Sequence, residues 1–204
     1  RRAVILHPIH TTLRDGTPVL VREIAPSDAA LLQLGFDHLS ETSRQFRFFG
    51  AIRELTPEQI ESFTSPSDRD HVAIGAAAET PGGLDPAGTA RYVRLPRDAR
   101  AAEFALTVVD RYQRSGLGSL LLGLLARIAC NNGIDRLHGY VLRRNRAMMG
   151  LMDALGAERR IGPDDGVYDM VIHVHDDPAD YPPTRAGDAF READRLARLS
   201  PHAP

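Results

Sequence analysis

Leucine and isoleucine recur at Leu117, Leu120, Leu121, Leu124, Leu125 and Ile128, a spacing of i, i+3, i+4, i+7, i+8, i+11. Those positions share one stripe of a helix, which predicts an amphipathic helix over 114–130, stopped by Asn131, Asn132 and Gly133. Upstream, Val19 and Val21 alternate with polar neighbours after Asp15-Gly16, which predicts a hairpin over 11–24. A helix is expected over 26–39, capped by Ser27, with Ala30, Leu31, Leu34 and Leu39 inward. Short helices follow over 40–50 and over 56–65, the second opened by Thr56 and Pro57. Apolar runs at 71–79, 88–95 and 101–109 read as strands, the first two joined by the loop "TPGGLDPAG". A strand at 135–142, a helix from Asn145 to Gly156 with Met148, Leu151, Met152 and Leu155 inward, and a closing strand pair over 157–174 complete the order. The fold class is therefore α/β (α+β), helices around one sheet. After the linker-like "DDPADYPP", a last helix carries Phe190, Ala193, Leu196 and Ala197 on one side, as a packing appendage or a partner helix.

Composition narrows the function classes. The chain has 204 residues, 43% hydrophobic and 25% charged, with a net charge of −2. That is ordinary for a globular domain and leaves no electrostatic footprint for nucleic acid or an anionic membrane. No apolar run reaches the roughly 18 residues of a membrane span, and "RRAVILHPIH" is short and proline-broken for a signal peptide. The single cysteine, Cys130, excludes an internal disulfide and reads as a packed thiol, so a cytoplasmic setting is expected. His173 and His175 share a strand face, but only Asp176 or Asp177 stands near as a third ligand. No metal site is expected there.

The chemistry concentrates between Glu103 and Gly133. Gln113-x-x-Gly116-x-Gly118 joins a strand to the leucine-rich helix. No lysine follows Gly118, so it is not a Walker A loop. Leu121 stands where the dinucleotide fingerprint needs its third glycine. Two readings stay open, a plain tight turn and an anion site built from amides at a helix start, with Arg114 adding charge.

"VVDRYQRSGLG" resembles motif A of the GNAT superfamily of acyl-CoA-dependent N-acetyltransferases, and "NRAMMGLMDALGA" resembles that family's later Asn-to-Gly helix. The resemblance covers about residues 12–175, leaving 1–11 as an N-terminal extension and 176–204 as linker and C-terminal helix. "LRDGTPVLVREIAPSDAALL" and "AEFALTVVDRYQRSGLGSLLLGLLARIACNNG" are most similar to bacterial protein lysine acetyltransferases that modify acyl-CoA synthetases. The resemblance implies a central, mostly antiparallel sheet, splayed at an acyl-CoA site and flanked by helices. It implies acetyl-CoA as cosubstrate, no metal, and a protein partner such as an acyl-CoA synthetase.

Residue by residue, the resemblance implies that Leu106, Thr107 and Val108 pair with the pantetheine arm, the Val108 amide polarising the thioester. Gln113, Arg114, Ser115, Gly116, Leu117, Gly118 and Ser119 cradle the pyrophosphate, and Asn145 approaches the cofactor arm besides capping its helix. Glu103 is the expected general base; by position alone it could be a solvated strand acid. The family's usual thiolate-protonating Tyr is replaced by Met152, leaving Tyr112 and Tyr168 as weaker candidates. Arg44, Arg47, Phe48 and Phe49 are candidates for acceptor contact, with Phe46 and Phe49 also readable as inward packing. Alternatives to a protein acceptor are a small amine, or a non-catalytic acyl-CoA-binding module.

Overall fold

The computed structural model describes residues 6–65 and 67–199, so residues 1–5 of the expected N-terminal extension lie outside the described residues. The strands are β1 (Ile9–Thr12), β2 (Pro18–Glu23), β3 (His71–Thr80), β4 (Gly83–Leu95), β5 (Asp98–Val108), β6 (Arg136–Leu142), β7 (Glu158–Ile161) and β8 (Val167–His173). The helices are α1 (Ala29–Asp37), α2 (Glu41–Phe48), α3 (Pro57–Thr64), α4 (Leu117–Asn131), α5 (Arg146–Ala154) and α6 (Arg185–Leu199). One sheet runs β1-β2-β3-β4-β5-β6-β8-β7, antiparallel at every step except β5 to β6. This is the mixed, mostly antiparallel sheet flanked by helices that the resemblance implies.

The parallel step is where the sheet opens. β5 and β6 pair only at Ala101 with Arg136, Ala102 with Leu137 and Glu103 with His138. Immediately beyond, the ring of Phe104 occupies the place a side chain at 139 would need: a Cβ on Gly139 would lie 2.4 Å from it. The ring stands at the fork, and β5 continues paired to β4 alone.

The two faces of the sheet carry separate cores. Leu106 and Val108 lie against Gly118 of α4, on the face that holds the larger core. α1 to α3 cover the other face over Phe36, Leu39, Leu55 and Val109. The α1 stripe differs from the expected one. Leu32 and Phe36 turn inward, whereas Leu34 is 41% exposed, because α1 rests on this second core and not on the first. Ser27 does not cap it. Instead the Asp28 carboxylate accepts from the Ala25 amide at 2.8 Å and from Arg22 at 2.7 Å. The expected loop 80–88 is largely strand: Thr80 pairs with Gly83 around a Pro81-Gly82 turn, and Pro86 pairs with Ala77 at a register shift. A bulge accommodates a proline because the ladder there lacks a regular donor.

α4 is buried nearly all round, including Leu122 and Ala126, which the leucine stripe does not explain. The reason is α6, which covers the side of α4 turned away from the sheet. Gly123 is the crossing point, since a Cβ there would meet Ala193 at 2.9 Å and the Phe190 backbone at 3.0 Å. Arg127 adds an ion pair to Asp194 at 3.2 Å. The packed unit thus extends past residues 12 and 175, with Leu6, Ile9 and Phe190 in the larger core. Gly123→Val is expected to wedge the helices apart and lower stability by about 1–3 kcal/mol. Thermal unfolding checks this, and an unchanged midpoint would make α6 dispensable.

Candidate functional site

The fork opens into a cleft of about 590 Å³. Glu103, Leu106, Thr107, Val108, Gln113, Arg114, Gly116, Gly118, Ser119 and Asn145 all line it. The Val109 amide donates to the Ala87 carbonyl at 2.9 Å. Backbone groups alternate along a strand, so those of Leu106 and Val108 point away from β4, into the cleft. The Val108 carbonyl already accepts from Gln113 Nε2 at 3.2 Å, which leaves the Val108 amide as the group on offer.

The loop before α4 has an unusual backbone. Arg114 (φ 64°) and Gly116 (φ 93°) are both left-handed, which only glycine adopts without cost. The first intrahelical bond is Leu120 N–H to the Gly116 carbonyl at 3.1 Å. The amides of Gly118 and Ser119 therefore have no carbonyl one turn behind them and face outward. Ser115 and Leu117 differ from their neighbours in side-chain placement. The Ser115 hydroxyl donates to the Tyr112 carbonyl at 2.6 Å, and Leu117 is 1% exposed in the core. Neither lines the cleft, unlike the expected cradle: the Ser115 carbonyl accepts from the Arg14 amide at 3.2 Å, and the Leu117 amide donates to Ser115 Oγ at 3.4 Å. Asn145 caps α5 by accepting from the Met148 amide at 3.2 Å.

Several lining residues come from elsewhere. Arg14 lies against Gly116, 3.2 Å from where its Cβ would stand, and adds a second cation beside Arg114. α2 roofs the cleft, held by Asp110, whose carboxylate accepts from Ser40 N at 3.0 Å, Ser40 Oγ at 2.7 Å and Ser43 Oγ at 3.0 Å. Burial opposes ionisation of Asp110, but these hydrogen bonds outweigh it and hold its carboxyl below the usual value. The α2 aromatics are sorted differently from the expected order: Phe46 and Phe49 line the cleft, whereas Phe48 packs edge-on against Phe36 at 5.8 Å. Arg44 stacks on Phe36 and donates to the Arg53 carbonyl, a structural role.

Glu103 shares its surroundings with three groups. Burial pulls the Arg47 guanidinium down to about 10, Arg91 adds to this by repulsion, and Glu103 opposes it. Arg91 is lowered by burial, again opposed by Glu103. Tyr140 of β6 also lines the cleft, and its phenol is raised by burial and by the charges of Asp169 and Glu103. Tyr112 and Tyr168 do not line it. The Tyr112 hydroxyl is bonded to Asp85, and Tyr168 lies under Arg143 and Arg159. Cys130 contacts Asp176, and burial raises its thiol, which disfavours a nucleophilic thiolate. Among the described residues no group of three or more His, Cys, Asp or Glu is placed to hold a metal, and no helix is long and apolar enough to cross a membrane.

Comparison with known proteins gives concordant matches. The model of the acetyltransferase (GNAT) family matches residues 37–157. Acetyltransferase PA5475 of Pseudomonas aeruginosa is 32% identical over 79% of this chain and 86% of its own. Acetyltransferase Pat of Mycolicibacterium smegmatis is 35% identical over 77% of this chain, which spans only 46% of Pat. The crystal structure of the GNAT domain of S. lividans PAT superposes with a TM-score of 0.74 at 30% identity, covering 81% of this chain and 96% of that one. The family model spans more than half of the chain, and a relative 32% identical is covered over most of its length: the chain belongs to the acetyltransferase (GNAT) family of acyl-transferring enzymes.

Proposed function

We propose that this enzyme transfers the acetyl group of acetyl-CoA to a protein lysine, with Glu103 as general base and an acyl-CoA synthetase as the target class. The observation that carries the reading is the place of Glu103 at the last paired step of β5 and β6, on the wall of the cleft. Two features suit the cosubstrate. Gly116 and Gly118 bring no side chain to the cleft at their two positions, and Arg14 and Arg114 supply positive charge for a pyrophosphate beside the outward amides. The open edge of β5 at Leu106–Val108 suits an extended pantetheine arm, with Asn145 at its flank.

The transfer needs a neutral amine. At pH 7 a lysine with pKa of about 10.4 is neutral only about once in 10³·⁴, a penalty of about 4.6 kcal/mol. Glu103 takes the amine proton, directly or through one water, as nitrogen bonds to the acyl carbon. The Val108 amide stabilises the oxygen that gains charge. The carbon–sulfur bond then breaks, and the thiolate takes a proton from water. No covalent acyl-enzyme is involved. A cytoplasmic setting fits this substrate pair.

The test is mass spectrometry after incubation with acetyl-CoA and, in parallel, an intact acyl-CoA synthetase, a short lysine peptide and a polyamine. A folded acceptor engages surface beyond one lysine. The synthetase is therefore expected to exceed the peptide in kcat/KM by about tenfold or more, the worth of one good added contact. Equal kcat/KM for polyamine and synthetase would replace the protein acceptor with a small amine.

A further inference from the structure

A second cavity, of about 110 Å³, lies on the α1–α3 side of the sheet. Its walls are mainly apolar, with Leu32, Phe36, Phe48, Phe63 and Ala73 among them. Arg22, one of the charged groups at its edge, is already paired with Asp28. Two residues, Arg47 and Thr107, line both this cavity and the cleft. The Arg47 guanidinium lies 5.0 Å from the Phe48 ring centroid and 5.7 Å from that of Phe63, and makes no ion pair among the described residues. The two cavities thus share a border at Thr107 and at the Arg47 side chain, which rests on aromatic faces.

Thr107 sits on the matching wall. Leu106 and Val108 turn their side chains to α4, so Thr107, between them, turns toward the second cavity. With a thioester held at the Val108 amide, the carbons beyond its carbonyl lie one residue from this shared border. A dry engineered cavity of about 150 Å³ accepts benzene, so 110 Å³ has room by proportion for about four carbons.

We propose that the second cavity is an acyl-chain pocket, and that the enzyme takes unbranched acyl-CoA thioesters from propionyl to about hexanoyl as well as acetyl-CoA. This rests on the placement of the thioester under the proposed function. The transfer is unchanged in its balance: the amine nitrogen bonds to the acyl carbon, the carbon–sulfur bond breaks, Glu103 takes the amine proton, and the thiolate takes one from water.

Calorimetry with acetyl-, propionyl-, butyryl- and hexanoyl-CoA tests the pocket without relying on turnover. Each added methylene that enters apolar surroundings is expected to tighten Kd about fourfold, at least as far as butyryl. Ala73→Leu from the sheet, or Leu32→Phe from α1, fills the cavity. Either is expected to abolish the gradient while leaving acetyl-CoA Kd unchanged. Acetyl-CoA binding with a flat or weakening series would overturn the pocket alone, as would a gradient that both folded variants retain. Tighter binding of succinyl-CoA than of butyryl-CoA would overturn its apolar character and point to the Arg47 and Arg91 guanidinium groups. Absence of acetyl-CoA binding would sink the proposed function and the pocket with it.

Discussion

Glu103→Gln is expected to lower turnover by about 10²–10⁴-fold, the usual worth of a positioned base, while leaving acetyl-CoA affinity nearly unchanged. The substitution keeps the size and hydrogen-bonding capacity of the side chain and removes only the proton acceptor. The groups assigned to the cosubstrate lie elsewhere, at Leu106–Val108 and in the loop from Gln113 to Ser119. The loss should shrink as pH rises toward the lysine pKa of about 10.4, because more of the amine is then neutral unaided. The sign is informative: a defect in acceptor binding has no reason to shrink in that direction. Steady-state rates over a pH series, together with calorimetric Kd, separate the cases. Turnover retained at neutral pH would transfer the proton-accepting role away from Glu103. The neighbouring guanidinium groups of Arg47 and Arg91 bear on the same experiment. Both interact electrostatically with Glu103, so its neutral replacement also removes a counter-charge from two buried cations. Thermal unfolding should accompany the kinetics to show that the variant remains folded.

Gly118→Asp is expected to weaken acetyl-CoA binding by about 10³-fold. Two unit charges about 4 Å apart near a protein surface repel by about 4 kcal/mol, and each 1.4 kcal/mol is tenfold in Kd. Steric strain does not explain such a loss. A Cβ at 118 would stand 3.5 Å from Val108 Cγ2 and 3.6 Å from Leu106 Cδ2, ordinary contact distances. Gly118→Ala therefore isolates charge from bulk and should bind within a few-fold of the parent. The Asp variant's deficit should also narrow at high salt, where exposed charges are screened. An unchanged calorimetric Kd for Gly118→Asp would remove the phosphates from this loop.

The local grammar of the chain determined much of the fold. Caps, turn glycines and periodicity act within about one helical turn or one hairpin, so they are legible without neighbours. Gly16, the Thr56-Pro57 start of α3, Asn145 and the leucine run of α4 all stand where their sequence context placed them. Glu103 and most of the Gln113–Ser119 loop could be singled out because they sit on contiguous elements with a family resemblance. Tertiary structure alone decided what crosses between elements. The fork depends on the Phe104 ring meeting Gly139 across two strands, and no periodicity encodes that meeting. Arg14, Arg91 and Tyr140 reach the site or its border from three other elements, where each looks locally like an ordinary hairpin or strand residue, whereas Arg47 was legible as a candidate for acceptor contact. The loop expected at 80–88 became strand because Ala77 and Ala78 of β3 supply it with a partner, which outweighs the turn tendency of its Pro and Gly. α6 is burial decided at a distance. Its Phe190 and Ala193 have a home only because Gly123, seventy residues earlier in the chain, brings no side chain to the crossing.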